Sequence, residues 1–442
     1  MRERRRETTP WGDLKLAETA QLSDEFIRQL SAVGEVDVLV GIPTFNNKDT
    51  IERVVRAVQI GLTKYFHRDR CVLINPDGGS TDGTPEIFKN ASVSDFEIML
   101  TSNPLRTFHR VSAPYHGIPG KETALRTLFV AADLLRAKAC AILSPASLSV
   151  TPEWIESLVR PAYRESFDFV APLYQRQKFD GLLLKGLLAP VVRAAYGVRI
   201  REPIASDLGL SGKLARHFLE QNIWDQDVTT FGLEIWMTTT AIVHGFKISE
   251  SFLGPRIQPA PQFGQDLPGT IRQVVGALFK CLEMQESYWL PRTGSESLPT
   301  FGFQYDVALE PLKLSTKTIL DNFRSNIGQL VPVLESILTP ATLVEIRKMI
   351  DLPDKQFRCP DELWVKTIYE FAAAYHHSAI NRDHLLQALT PLYRARVSSF
   401  ILQNTKAPAA KLDQRVEDLG QEFERQKPYL IDRWSAKAGG ER

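Results

Sequence analysis

A chain of 442 residues with 43% hydrophobic and 24% charged residues has the composition of a soluble globular protein, long enough for one large domain and a second. Its formal net charge of +1 gives no global basis for nucleic-acid binding. The four cysteines, Cys71, Cys140, Cys281 and Cys359, are widely spaced, and no pair has metal or redox spacing, so reduced thiols in a cytoplasmic protein are expected.

Residues 1–34 read as a polar extension that ends in a helix over 22–33. Its basic start is not followed by an apolar run, so an ordinary secretory signal is not expected. The β-branched run 36–42 is a buried strand, and apolar Ile51, Val54, Val55 and Val58 then recur at helical spacing. Residues 71–74 read as a second strand, 96–100 as a third, 120–137 as a strong helix and 139–143 as a fourth strand. This alternation argues for an α/β sheet with its ligand crevice at the carboxyl ends of the strands.

Residues 170–172 fit a further strand, while 207–211, 233–236 and 247–253 are shorter strand candidates or helix starts. The apolar stretch 181–197 is broken by Lys185 and Arg193 and reads as an amphipathic helix, with the core favoured over a membrane surface as its partner. From about residue 312 the pattern becomes helical, in 319–338, 343–350, 363–375, 384–402 and 412–429. Pro332 and Pro391 are expected to start or kink helices. The organisation is therefore an extension (1–34), an α/β domain (35–304) and an all-α region (305–442) that packs on it.

Three loops fall at or near strand ends. The first is Pro43-Thr44-Phe45-Asn46-Asn47. The second, Asp77-Gly78-Gly79-Ser80-Thr81-Asp82-Gly83-Thr84, offers backbone N–H groups to a ligand, and Asp77 can accept from a base or ribose. Taken alone it reads rather as a turn in which Ser80 or Asp82 caps the next helix. The third, Gly117-Ile118-Pro119-Gly120-Lys121, opens a helix with a lysine and suits a phosphate, although its spacing is not that of a P-loop.

Together these loops resemble the nucleotide-binding half of family-2-like GT-A glycosyltransferases. Pro43-Thr44-Phe45-Asn46 matches their "P-x-x-N" segment, and Asp77 to Thr84 their "D-D-G-S-T-D-G-T" segment, with Gly78 at the second acid. Further on, Gly120-Lys121-Glu122-Thr123-Ala124, Arg201-Glu202-Pro203-Ile204-Ala205-Ser206-Asp207, Phe231-Gly232-Leu233-Glu234-Ile235 and Leu253-Gly254-Pro255-Arg256-Ile257-Gln258 resemble segments of the glucosyl-3-phosphoglycerate, glucosylglycerate and mannosylglycerate synthase group. The likeness spans roughly residues 35–290, with a weaker match through the tail to Trp434.

The resemblance implies transfer of a sugar from a UDP- or GDP-sugar to a small anionic hydroxy acid such as glycerate or phosphoglycerate, with retention. It implies that Pro43, Thr44, Asn47 and Asp77 line the nucleoside and that Lys121 approaches the nucleotide or its phosphates. Asp207 and Glu234 would stand near the donor sugar or acceptor, and Arg201 and Arg256 would meet an anionic acceptor or the diphosphate. A carboxylate at Asp207 among Leu208 and Leu210 is costly if buried without partners, which favours a site role for it.

The main departure concerns the metal. The family holds Mg²⁺ or Mn²⁺ with "D-x-D" and a histidine; here those positions are Ser144, Ala146 and Gln258. Hydroxyl and methyl groups are poor ligands for such ions. Without the ion, Lys121, Arg201, Arg256 and Arg199 are the candidates to neutralise the leaving diphosphate, with His116 as a further loop candidate. Two readings follow. One is a glycosyltransferase that works without the usual metal. The other is a catalytically degenerate GT-A protein that binds a nucleotide, sugar or protein and uses its helical tail in assembly. The tail either buttresses the acceptor side or forms a homodimer.

Overall fold

The computed structural model describes residues 22–91, 107–114, 121–221, 223–224, 227–257, 266–305, 307, 309 and 316–436. Its centre is an eight-stranded mixed sheet in the order β10-β8-β5-β7-β4-β1-β2-β3. The strands are β1 (Val38–Gly41), β2 (Arg70–Asp77), β3 (Thr107–Pro114), β4 (Ala139–Ile142), β5 (Phe169–Gln175), β7 (Leu208–Ser211), β8 (Ile248–Pro255) and the two-residue β10 (Thr300–Phe301). Strand β7 runs antiparallel to both β4 and β5, and the other pairings are parallel. A separate ribbon joins β6 (Val198–Arg199) to β9 (Glu296–Ser297).

The first strand shows why the sheet is buried on both sides. Val38 and Val40 enter one apolar cluster and Leu39 the other, as the two-residue period of a strand requires. On the Val38 side lie the helices Ile51–Tyr65 and Pro152–Arg164; on the Leu39 side lie Lys121–Leu134 and Leu267–Met284. An α/β mixed sheet followed by a helical region is what the sequence led one to expect. The expected strand at 96–100 lies outside the described residues, and the strand beside β2 is Thr107–Pro114, a segment whose sequence signal was not recognised.

The helical region comprises Thr316–Ile337, Pro340–Ile350, Asp361–His376, Arg382–Asn404, Ala409–Arg425 and Lys427–Ser435. The single helix expected over 412–429 is two, separated at Gln426. Pro332 and Pro391 lie inside helices instead of starting them. Each therefore withholds an N–H from the carbonyl four residues earlier, Gly328 and Gln387. The stretch 181–197 forms a π-helical turn, Leu184–Leu188, followed by the helix Ala189–Tyr196, and it faces the core.

The helical region shares one apolar cluster with the sheet's second face. Polar ties reinforce the docking. Arg193 forks onto Glu417 and Glu424, and the Lys427 ammonium donates to the carbonyls of Ala195, Trp289 and Arg292 at 3.1, 2.7 and 2.7 Å. Among the described residues no helix is long and apolar enough to cross a membrane. All four cysteines are buried and free; burial pushes Cys140 and Cys281 up to about 12 and Cys359 up to about 11, so they are poor nucleophiles at neutral pH.

Gly232, inside the Phe-Gly-Leu-Glu-Ile motif, has a packing reason. The helix Asp227–Val243 breaks there, and a Cβ at Gly232 would lie 2.1 Å from Cβ of Ala277 on the neighbouring helix. Gly232→Ala is expected to cost about 1–3 kcal/mol by overpacking, read as a drop in the unfolding midpoint in urea.

Candidate functional site

The chain leaves β1 and β2 on one side and β4 on the other, so the sheet has a switch point beside β1. A cavity of about 350 Å³ opens there at the carboxyl ends of the strands. Pro43, Thr44, Phe45 and Asn47 line it after β1, Gly78 after β2, and Leu143, Ser144 and Pro145 after β4, with Ser206 and Ala124 completing the wall. Such a volume suits a small-molecule group held by a few polar atoms.

The first two loops are stitched into one wall. Thr44 Oγ1 and Ser80 Oγ donate to Asp77 Oδ1 at 2.8 and 2.7 Å, and the Gly79 and Ser80 N–H groups donate to Oδ2 at 3.1 and 2.9 Å. A carboxylate has about four acceptor sites, and these four donors occupy them. Asp77 therefore shapes the loop in this structure, whereas the sequence suggested a carboxylate open to a nucleoside. Asn46, in the left-handed region at φ 53°, accepts from Thr81 N through its side chain and donates its own N–H to Ser80 Oγ. Asp82 accepts from Thr84 Oγ1, Thr84 N and Lys48 N, and these bonds, the Thr84 hydroxyl first, hold its carboxyl below the ordinary value. The turn half of the sequence reading is realised, but the cap half is not: the residue before the helix Thr84–Asn90 is Gly83, which has no side-chain cap bond, and Asp82 reaches Thr84 N from one residue further out.

The far wall is organised by Asp207. Its side chain is buried, accepting from Ser144 N at 2.7 Å and from the Tyr174 hydroxyl at 2.5 Å. Strand β7 is antiparallel, so its first residues reach the same edge at which β4 and β5 end, and this meeting follows from the topology. The Tyr174 ring carries the Arg256 guanidinium at 4.9 Å and that of Arg176 at 5.5 Å. Burial, then the charge of Asp207, raises the Tyr174 phenol well above its ordinary value against the opposing pull of Arg256, so it stays protonated and donates to Asp207. Arg176 in turn forks onto buried Glu202 with two bonds of 2.7 Å, which anchors the loop leading to Asp207.

The other sequence candidates fall differently. Arg201 is committed to buried Glu250 through its N–H and its guanidinium and also donates to Thr300 Oγ1, and it does not line the cavity. Glu234 lies one turn before Thr238, whose hydroxyl donates to the Pro203 carbonyl, so that helix face turns toward the 202–207 loop. The Lys121 side chain, His116 and Gln258 lie outside the described residues. Ile257, immediately before Gln258, donates its N–H to Ser149 Oγ and accepts from Leu148 N, so the end of the β8 segment is tied to the loop that carries Ser144 and Ala146.

That convergence tests the metal. Ser144 and Ala146 supply no anionic oxygen, and the nearby carboxylate, Asp207, already accepts from Ser144 N and Tyr174. Among the described residues no group of three His, Cys, Asp or Glu side chains could hold an ion. The donor set present does not fit Mg²⁺ or Mn²⁺. Tyr174 and the Arg176–Glu202 pair were missed in the sequence. The available signal was a tyrosine followed two residues later by an arginine, at the end of an apolar strand.

Fold and cavity together define an α/β protein with a mixed sheet and a switch-point pocket. No family model and no curated protein matches the chain. Among solved structures it is similar to glucosyl-3-phosphoglycerate synthase from Mycobacterium tuberculosis in complex with phosphoglyceric acid, at 20% identity over 58% of this chain and 83% of that chain, with a TM-score of 0.38. The complex of that enzyme with Mn²⁺, UDP and glucosyl-3-phosphoglycerate gives the same figures. Its complex with Mn²⁺, UDP-glucose and phosphoglyceric acid gives 19% identity, 58% and 83% coverage and a TM-score of 0.37. At this level of likeness, the chemistry of the present chain rests on its own residues.

Proposed function

We propose that the chain is a glycosyltransferase that moves a sugar from a UDP- or GDP-linked donor to a small hydroxy acid such as glycerate or phosphoglycerate, with retention and without the family's divalent ion. The observation that carries this reading is the array Ser144–Asp207–Tyr174–Arg256 beside the switch-point cavity: a clamped carboxyl and a guanidinium on an aromatic platform, next to a pocket of nucleoside size. In the reaction the bond from the anomeric carbon to the diphosphate oxygen breaks, a bond to the acceptor oxygen forms, and the acceptor hydroxyl loses its proton. Pro43, Thr44 and Asn47 line the nucleoside; Asp77 keeps their loop in shape. Arg256, with Lys121, meets the developing diphosphate charge. Asp207 and Glu234 stand near the transferred sugar and acceptor. Arg201 supports the site through Glu250.

The test is turnover of UDP-, GDP- and ADP-sugars with glycerate or 3-phosphoglycerate, in Mg²⁺ and in EDTA. Turnover unchanged by EDTA is expected. Measurable nucleotide binding without turnover of any donor would overturn the reading in favour of a degenerate binding or assembly module, for which the filled acceptor sites of Asp77 and the absent metal acids speak. Joint restoration of Ser144→Asp, Ala146→Asp and Gln258→His is expected to create Mn²⁺ binding measurable by calorimetry, because the two loops are already tied at Ile257.

A further inference from the structure

A second cavity, of about 480 Å³, lies in the helical region, at the seam between Thr316–Ile337 and Arg382–Asn404 and against the first turn of Leu267–Met284. His384, Gln387, Pro391 and Arg394 line it from one helix, at the three-, seven- and ten-residue steps that place side chains on a single helical face. Gln329 stands opposite, and Leu330, Val333 and Ala388 supply apolar wall. The lining holds an arginine and a histidine and no carboxylate.

His384 and Gln387 are exposed to solvent, and Arg394 is half-buried. Among the described residues, the side chains of Gln329, His384, Gln387 and Arg394 have no hydrogen-bond or ion-pair partner. Thr390, which also borders the cavity, is 4% exposed, and its hydroxyl has no partner. A helical threonine ordinarily returns its hydroxyl to the carbonyl four residues back, so an unpartnered buried one is unusual. Thr390 and Arg394 are four residues apart and therefore neighbours on the helix. Pro391 between them withholds the N–H that would serve the Gln387 carbonyl. One short stretch of helix thus places an unpaired guanidinium at the wall of the cavity, with an enclosed, unpartnered hydroxyl one turn behind it.

From this we infer that the seam is a binding site for a small organic oxyanion, a phosphate monoester or carboxylate with a short apolar body. Arg394 donates to the anionic oxygens, and Leu330 and Val333 receive the apolar part. The site is separate from the switch-point cavity, with which it shares no lining residue.

The experiment titrates the full chain with phenyl phosphate, benzoate and inorganic phosphate by calorimetry. The wild type is compared with Arg394→Gln and, as a marker of the first cavity, Arg256→Gln. The expected result is millimolar or tighter binding of phenyl phosphate or benzoate, weakened about tenfold in Arg394→Gln through loss of a charge-assisted bond and retained in Arg256→Gln. Whichever of the two organic probes binds identifies the phosphate or the carboxylate source. Absence of heat with all three probes, equal affinity in Arg394→Gln, or loss of binding in Arg256→Gln would overturn the inference. Thermal unfolding of each variant separates these outcomes from misfolding.

Discussion

Asp207→Asn is expected to lower kcat/KM by about a hundredfold or more while leaving UDP affinity within about threefold. The carboxyl bridges two walls of the site, accepting from Ser144 N on one side and from the Tyr174 hydroxyl on the other. An asparagine has one acceptor oxygen, so its NH₂ must face one of those two donors, and that bond is lost. The wall built from Thr44, Asp77 and Ser80, which the proposed reaction gives to the nucleoside, has no share in this bridge, which is why binding should survive. Steady-state kinetics paired with nucleotide titration checks both halves. Tyr174→Phe keeps the ring under Arg256 and removes only the donor, so its loss of turnover should be nearer tenfold. Equal turnover in wild type and Asp207→Asn would remove Asp207 from the reaction.

Arg193→Ala should destabilise the protein by about 2–3 kcal/mol. Its side chain is 8% exposed and its guanidinium makes four bonds to Glu417 and Glu424, which reach it from the helix Ala409–Arg425. Removing one member of a buried pair ordinarily costs more, but Glu417 is 38% exposed and recovers part of its hydration. Gly420→Ala should act in the same direction, since its Cβ would come within 2.7 Å of Arg193 Nη1. Urea unfolding measures both variants. The pH dependence adds a second readout. The Arg193 bond holds Glu417 below its ordinary 4.5, so this contribution to stability is present above that pH and fades as pH falls through the depressed value. The Arg193→Ala variant should show a shallower loss of stability in that acid range.

Much of the fold was legible because burial on both faces leaves a simple record. Residues 36–42, 71–74 and 139–143 are short apolar runs, and they became β1, β2 and β4. The helical tail announced itself by spacing. Strand Thr107–Pro114 did not, since its Thr, His, Arg and Ser break the apolar run by which the other strands were found. Of the two positions expected for Pro332 and Pro391, a helix start or a kink inside one, the start is excluded, because both lie within helices and each removes one hydrogen bond there. In the site, Asp207 stood out as a carboxylate in an apolar run. Its partner Tyr174, 33 residues away, did not. Arg201 was noticed for its charge, yet that charge is spent on Glu250 across 49 residues.

The sequence by itself determined the strand and helix pattern, the order of the loops at the strand ends and the hydroxyl and methyl side chains, Ser144 and Ala146, that follow β4. Those are matters of local periodicity and of which side chains are present. Only the tertiary structure decided which polar groups are spent and which remain available. Asp77 is filled by Thr44 and its own loop, Arg201 by Glu250 and Arg193 by the tail, while Asp207 is clamped at the cavity wall by Ser144 N and Tyr174. The physical reason is that a hydrogen bond or ion pair depends on distance in space, and the antiparallel insertion of β7 between β4 and β5 brings together residues that no local pattern connects.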